Sequence, residues 1–270
     1  MLKKILRISI DLSTQKKTVD STIPPLRESN KLIQSVKEST ECLNNQFSSV
    51  FSRESTENIP FLHRKYARMP NIVVDEAGVL KLLNNININK SCGPDGIPSR
   101  ILKECSDIIA PIYTSLFNQS LNTSCLPLDW RNANIFPLHK KGPKDITSNY
   151  RPVSLTSITC KLLEHIVSSS IHHHLKANDI LTPLQHGFRA NHSCETQLIL
   201  AVNDWAHSLD NNAHTDAVIF DFSKAFDVVP HQRLLSKLNF YGINSITLNW
   251  ISSFLCDRQQ RVVIDGTVSE

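Results

Sequence analysis

The chain is poor in several features that would have pointed to familiar functions. It has seven cysteines in 270 residues, an odd number, and no two stand in a CxxC spacing. That excludes a disulfide framework and an ordinary zinc module. The cysteines read as reduced thiols of an intracellular protein, most of them small core residues. No run of 18 apolar residues occurs, so no segment has the makings of a membrane-spanning helix. Glycine is scarce, with seven residues, and none serves a phosphate loop, because no Lys-Ser or Lys-Thr follows Gly93, Asp95 and Gly96 in CGPDGIP. That stretch is read as a tight turn. The start, MLKKILRISIDLSTQKK, is a poor secretory signal because Lys3, Lys4, Arg7 and Asp11 break its apolar stretch. Repeats and low-complexity tracts are lacking too. A net charge of +4 permits a nucleic-acid partner without demanding one.

What is present is a chain 40% hydrophobic, enough for a sizeable core. Residues 1–72 read as a leader and linker, irregular in part. It holds one helical patch, LIQSVKESTECLNNQFSSVF, with Leu32, Val36, Leu43, Phe47 and Val50 as its apolar positions. From residue 73 the patterning strengthens into a second unit reaching residue 270. Val79, Leu82, Leu83 and Ile86 mark a short helix capped by Asp75. A helix opening near Pro98 places Ile101, Cys105, Ile108, Ile112 and Leu116 on one face, and Pro111 should kink or split it. The period then changes. NANIFPL (132–138) and NYRPVSL (149–155) read as strands around the turn HKKGPKDITS. Between Asn132 and Arg151 stand Lys140, Lys141, Lys144 and Arg151 against Asp145 alone, so most of the excess charge lies in one hairpin.

Helices follow over about 159–177 and 194–209. The second has Leu198, Val202, Trp205 and Leu209 inward, Ser193 as its cap and Glu195 in the first turn. Pro230 opens a helix that ends at Gly242. Another, Ser245 to Phe254, leads to the strand QRVVIDG. Interleaved helices and strands make the fold class α/β or α+β. His172, His173 and His174 cannot converge on one ion from consecutive helical positions, and they read as a partly solvated surface. His186, His192 and Cys194 lack a fourth ligand at zinc spacing.

The most informative stretch is AVIFDFSKAFDVVPH, 217–231. Ala217 to Phe220 form an apolar run expected to be a buried strand. Ending it in Asp221 puts a carboxylate at a sheet edge beside the core. That is costly unless the charge is paired or holds a metal, though a turn cap or a salt bridge would also serve. Asp227 reads as a helix-start acid beside Pro230, and Phe226 by itself is an ordinary core aromatic.

FDFSKAFDVVPH resembles the first catalytic motif of reverse transcriptases from non-LTR (LINE-type, Jockey or CR1-like) retrotransposons. Other segments resemble that family's motifs in order: KSCGPDGIPSRILK, WRNANIFPLHKKG, NYRPVSLTSITCKLLE, LTPLQHGFRANHSCETQL and GINSITLNWISSFLCDRQQRVVIDG, together spanning about 72–270. The resemblance implies an α+β right-hand polymerase, with fingers and part of a palm behind the leader. It implies RNA-directed DNA polymerase chemistry in a nucleus or cytoplasm, an RNA template, a DNA primer, dNTP substrates, and Mg²⁺ or Mn²⁺. It makes Asp221 a catalytic metal ligand, joined by the carbonyl of Phe222. Phe226 becomes the ring that screens out a 2′-hydroxyl, the one group separating the two nucleotide classes. Arg151 resembles the phosphate-contacting arginine, a bidentate donor. Lys140 and Lys141 resemble finger lysines, and which of them touches phosphate stays open. Lys144 and Arg189 are expected on the nucleic-acid backbone.

Two family features are missing from the 270 residues: an Asp-Asp pair after an aromatic, and the glycine-rich segment that normally follows VVIDG. Asp216 and Asp265 lack the context to replace the pair. The expectation is a C-terminally truncated copy, inactive alone, with an exposed apolar sheet edge and a missing palm and thumb fragment as its partner. A non-catalytic RNA-binding remnant is the main alternative, and a structural or interaction protein comes after it. An RNA-dependent RNA polymerase is disfavoured by Phe226.

Overall fold

A computed structural model describes residues 23–28, 31–51, 59, 63 and 65–270. Residues 1–22, 29–30, 52–58, 60–62 and 64 of the expected leader and linker lie outside the described residues. Strands β1 (Leu26–Glu28) and β2 (Lys31–Ile33) form a hairpin followed by helix α1 (Val36–Ser48). Helices α2 (Glu76–Asn84), α3 (Ser99–Glu104) and α4 (Ser106–Thr123) come next. Strands β3 (Asn132–His139) and β4 (Tyr150–Leu155) lead into α5 (Ile158–Ala177) and α6 (Cys194–Asp210). Helices α7 (His231–Phe240) and α8 (Ser245–Leu255) then precede β5 (Gln259–Ile264) and β6 (Thr267–Val268). The mixed α and β composition expected from the pattern is what forms.

The larger sheet has the order β4-β3-β5-β6, with β3 and β5 parallel and the outer pairs antiparallel. β3 carries Pro137, which cannot donate to a ladder. It is tolerated because β5 pairs β3 only from Asn132 to Ile135, which leaves that side of Pro137 free. The opposite Pro152 lies on the edge strand β4.

Alternation along the strands gives the sheet two faces. One carries Ile135, Tyr150, Val262 and Ile264 into a core shared with Leu26, Ile33, Cys42, Leu43 and Phe47. Residues 26–28 and 31–48 of the expected leader therefore take part in the sheet's own packing. Leu43 and Phe47 point inward as expected, whereas Leu32 sits in a strand and Val36 is exposed, because the helix begins only at Val36. The larger core lies among α2, α4, α5, α8 and Trp130, with Phe117, Leu83 and Leu163 fully buried. Its polar groups are matched: Trp250 donates its indole N–H to Ser120 Oγ at 3.0 Å, and Ser120 donates to the Cys125 carbonyl at 2.7 Å.

Several expectations hold at single-residue level. Asp75 caps α2, accepting from Gly78 N at 2.7 Å. Gly242 takes φ +86° after α7, and a Cβ there would run into the Ala67 carbonyl.

Others fail. The helix after Pro98 breaks at Cys105, and Pro111 lies inside a continuous α4. Pro111 is the sixth residue of α4, past the first turn, so the helix runs on without the bond that an N–H there would give to the Asp107 carbonyl. The face expected there is wrong by more than a third of a turn. Ile108 and Ile112 are exposed while Ala110, Phe117 and Leu121 are buried, because the break at Cys105 resets the helical phase. His174 is buried, its Nε2 2.7 Å from the Tyr241 carbonyl, whereas His172 and His173 are exposed. Helix α6 buries no residue, and Leu198, Val202, Trp205 and Leu209 are all exposed. Residues 217–220 form no strand; the backbone over 213–222 carries no regular structure. A strand exists only in a ladder, and no described strand pairs with this run.

Candidate active site

The β3–β4 hairpin presents the basic cluster. Its register sets Arg151 opposite Leu138 on the face away from the α1 core, beside Phe136 and Val153, which are also exposed. Lys140, Lys141 and Lys144 are exposed on the connecting loop. That loop is firmly tied. Lys140 N–H donates to the Asn149 carbonyl at 2.9 Å, the Asn149 side-chain amide donates to the Pro143 carbonyl at 2.8 Å, and Tyr150 O–H donates to the Lys144 carbonyl at 2.6 Å. Burial, and secondarily the charge of Asp145, hold the Tyr150 phenol above its ordinary value. The one acid of the loop, Asp145, accepts an ion pair from Arg27 Nε at 3.2 Å. Neither this pair nor the adjoining backbone bond was foreseeable from the sequence, since more than a hundred residues separate the partners.

The segment expected to hold metal is arranged differently. Asp221 is exposed, with no ion pair to any described residue. Phe222 is exposed as well. Residues 223–228 turn tightly, with Lys224 at φ +51° and Asp227 N–H donating to the Lys224 carbonyl at 2.9 Å. Asp227 thus belongs to the turn that precedes Pro230. Phe226 is 79% exposed, and its ring packs edge-on against Phe188 with centroids 5.9 Å apart. That contact joins FDFSKAFD to HGFRAN, two motifs 38 positions apart. Arg189, next to Phe188, spends its guanidinium on the Thr182 carbonyl at 2.6 Å and the Gln185 carbonyl at 3.4 Å, so it braces its own loop. No described hydrogen bond, ion pair or ring contact links Asp221 or Phe226 to the basic hairpin.

Among the described residues no three His, Cys, Asp or Glu side chains gather as a metal set. Asp221 and the Phe222 carbonyl belong to no such set, which does not fit a two-metal centre. His186 Nδ1 lies 2.7 Å from Thr196 Oγ1, and the His186 and His192 rings meet edge to face at 4.8 Å, while Cys194 is exposed. Cys160 is buried against Glu164, and both effects raise its thiol far above the ordinary value, so it is an inert core residue.

Residues 138–269 match the family described as reverse transcriptase (RNA-dependent DNA polymerase). The chain is 29% identical over 199 residues to a probable RNA-directed DNA polymerase from transposon BS of Drosophila melanogaster, covering 71% of this chain and 21% of that protein. It is 29% identical over 193 residues to the RNA-directed DNA polymerase from mobile element jockey of the same fly, covering 70% and 20%. A Xenopus laevis transposon TX1 protein is 25% identical over 185 residues, covering 67% and 14%. The chain thus spans about a fifth or less of the length of these curated relatives. Residues 138–269, with their mixed α and β fold and basic hairpin, are thus similar to a reverse transcriptase domain. The relatives named above are polymerases of transposons and mobile elements. No described helix is long and apolar enough to cross a membrane.

Proposed function

We propose that this domain binds RNA template, DNA primer and dNTP inside the cell, with the β3–β4 hairpin as its phosphate-binding element. One observation carries the reading: Lys140, Lys141, Lys144 and Arg151 are exposed around one hairpin whose single acid is already paired. Arg151 is the bidentate phosphate donor of the set, and the lysines supply point charges. In a right-hand polymerase these residues belong to the fingers and 217–231 to the palm. In such an enzyme Asp221 and the Phe222 carbonyl are metal ligands for Mg²⁺ or Mn²⁺, and Phe226 screens the sugar. Arg189 serves the nucleic-acid site indirectly, by holding the loop that carries Phe188.

On the residues described the metal donor set is incomplete, so this polypeptide alone does not polymerise. The partner it lacks is a polypeptide that pairs with 217–220 and covers the exposed face of α6. Primer extension on an RNA template with dNTPs and Mg²⁺ tests this, with no extension expected. Robust synthesis abolished by Asp221→Ala would overturn the inactivity. The lone carboxylate also favours a second reading, a non-catalytic RNA-binding fragment. An electrophoretic shift across a salt series tests the RNA binding common to both. Salt-sensitive affinity weakened by Arg151→Ala supports it, and negligible affinity points to a structural or interaction protein.

A further inference from the structure

Strand β1 lies outside the segment that matches the reverse transcriptase family, yet it reaches the basic loop. Leu26, fully buried, fixes β1 on the sheet core, and Arg27 is the next residue. The backbone N–H of Arg27 donates to the Asp145 carbonyl at 2.6 Å, and Arg27 forms an isolated parallel bridge with Ile146. Its side chain then pairs with the Asp145 carboxylate at 3.2 Å. Main chain and side chain therefore hold the same residue.

That residue is distinctive. Between His139 and Arg151 the sequence is HKKGPKDITSNYR, and Asp145 is its only acid. Asp145 directly follows Lys144. Unpaired, its carboxylate would sit among the very cations that phosphate must reach and would compete for them. The loop's internal bonds fix Pro143, Lys144 and Asn149, so the acid cannot swing far away.

We propose that Arg27 is a positioning residue for anion binding by the hairpin: it takes up the carboxylate of Asp145 and leaves Lys140, Lys141, Lys144 and Arg151 free for nucleic-acid phosphates. The inference rests on the reading of this hairpin as a phosphate-binding element. The pair is partly solvated, with side-chain exposures of 58% and 31%, so its effect is moderate and depends on salt.

The test is binding of a fluorescein-labelled single-stranded RNA to the full chain, followed by anisotropy across a salt series. Four proteins are compared: wild type, Arg27→Ala, Asp145→Asn, and the double variant. Arg27→Ala should weaken binding about 3- to 10-fold at roughly 50 mM salt and lower the salt slope by about one. Asp145→Asn should bind at least as well as wild type. The double variant should return to within about 2-fold of wild type, because no free acid is left to compete. A purely structural brace gives the opposite pattern: both single variants weaken binding and the double does not recover, which overturns the inference. If Arg27→Ala does not fold, Asp145→Asn alone decides, and weaker binding by that variant overturns the inference. Wild type that binds RNA, with Arg27→Ala unchanged, also overturns it while leaving the phosphate-binding reading standing. Wild type with no RNA affinity brings down that reading as well.

Discussion

The packed sheet and helices and the stretch from Leu184 to Val229 both carry large apolar side chains, but in opposite environments. In the first, apolar side chains find partners: Ile135 and Val262 are closed over by α1, and Phe117, Leu163 and Trp250 pack among helices. In the second, Leu184, Phe188, Ile199, Val218, Ile219, Phe220 and Phe222 are all exposed, Ile219 by 93%. A monomeric surface rarely leaves so many large apolar side chains exposed along one stretch of chain unless something binds them. The comparison shows that hydrophobic sequence does not make a core by itself. A strand also needs an edge to pair with, and a helix needs a second layer.

The sharpest way to break this contrast is to truncate one large side chain in each region. Phe117→Ala should cost about 3–5 kcal/mol, because a buried ring is lost and a cavity remains. Ile219→Ala should change stability by no more than about 0.5 kcal/mol, as exposed positions generally do. Urea denaturation of the two variants measures both. A cost of several kcal/mol at Ile219 would mean that 217–220 is packed in solution, and the contrast would disappear.

A second comparison substitutes charge. Ile219→Lys should raise solubility and reduce self-association, seen as a smaller apparent mass in light scattering, with the denaturation midpoint unchanged. Ile135→Lys should prevent folding altogether, because an unpaired charge would enter the α1 core.

These two environments also explain what was legible in the sequence. Strands 132–139 and 150–155, the capped helix at Asp75 and the Gly242 turn were readable because each rests on local period or local backbone chemistry. The basic hairpin was readable because its charges are contiguous. The burial of α6 and the strand at 217–220 were misjudged because an apolar stripe states what a segment would bury and is silent on whether a partner is at hand. The Arg27–Asp145 pair and the Phe188–Phe226 contact had no local signal at all. They follow from how the chain closes on itself, and the motifs only marked the stretches involved. The break at Cys105 had a weak signal, since SDIIAP offers a fresh helix start at Ser106.

Helix caps sharpen the comparison at smaller magnitude. Asp75 caps α2, whose Val79 and Leu83 are buried, while Ser193 closes a capping box with Thr196 on α6, which buries nothing. Asp75→Ala should lower global stability by about 1 kcal/mol. Ser193→Ala removes the same kind of bond, but α6 has no packed face through which its loss could reach the rest of the fold. Seventeen residues without tertiary support are only marginally helical, so the effect should appear as faster amide exchange within 194–210 at an unchanged midpoint. Equal losses of global stability from both caps would show that α6 is docked.

The smallest effect lies at Glu41, in the middle of α1. Glu41 accepts from the backbone N–H of Glu270 at 2.9 Å and pairs with Lys37 at 3.0 Å. These contacts, the backbone bond first, hold its carboxyl below the ordinary value of 4.5. A folded value below the unfolded one means the contribution is fully present above about 4.5 and is lost as pH falls through the depressed folded value. Because Glu41 stays partly open to solvent, the change is small and should fade with added salt. Glu41→Gln should therefore flatten a slight part of the acid limb of a stability-versus-pH curve and leave neutral pH nearly unaffected. No acid-limb change of this kind is expected from Glu195, although its carboxyl is also lowered, chiefly by the Ser193 hydroxyl, because α6 is not coupled to the global transition. If Glu195→Gln shifts the acid limb as much as Glu41→Gln does, α6 unfolds together with the sheet, and the division between the two regions fails.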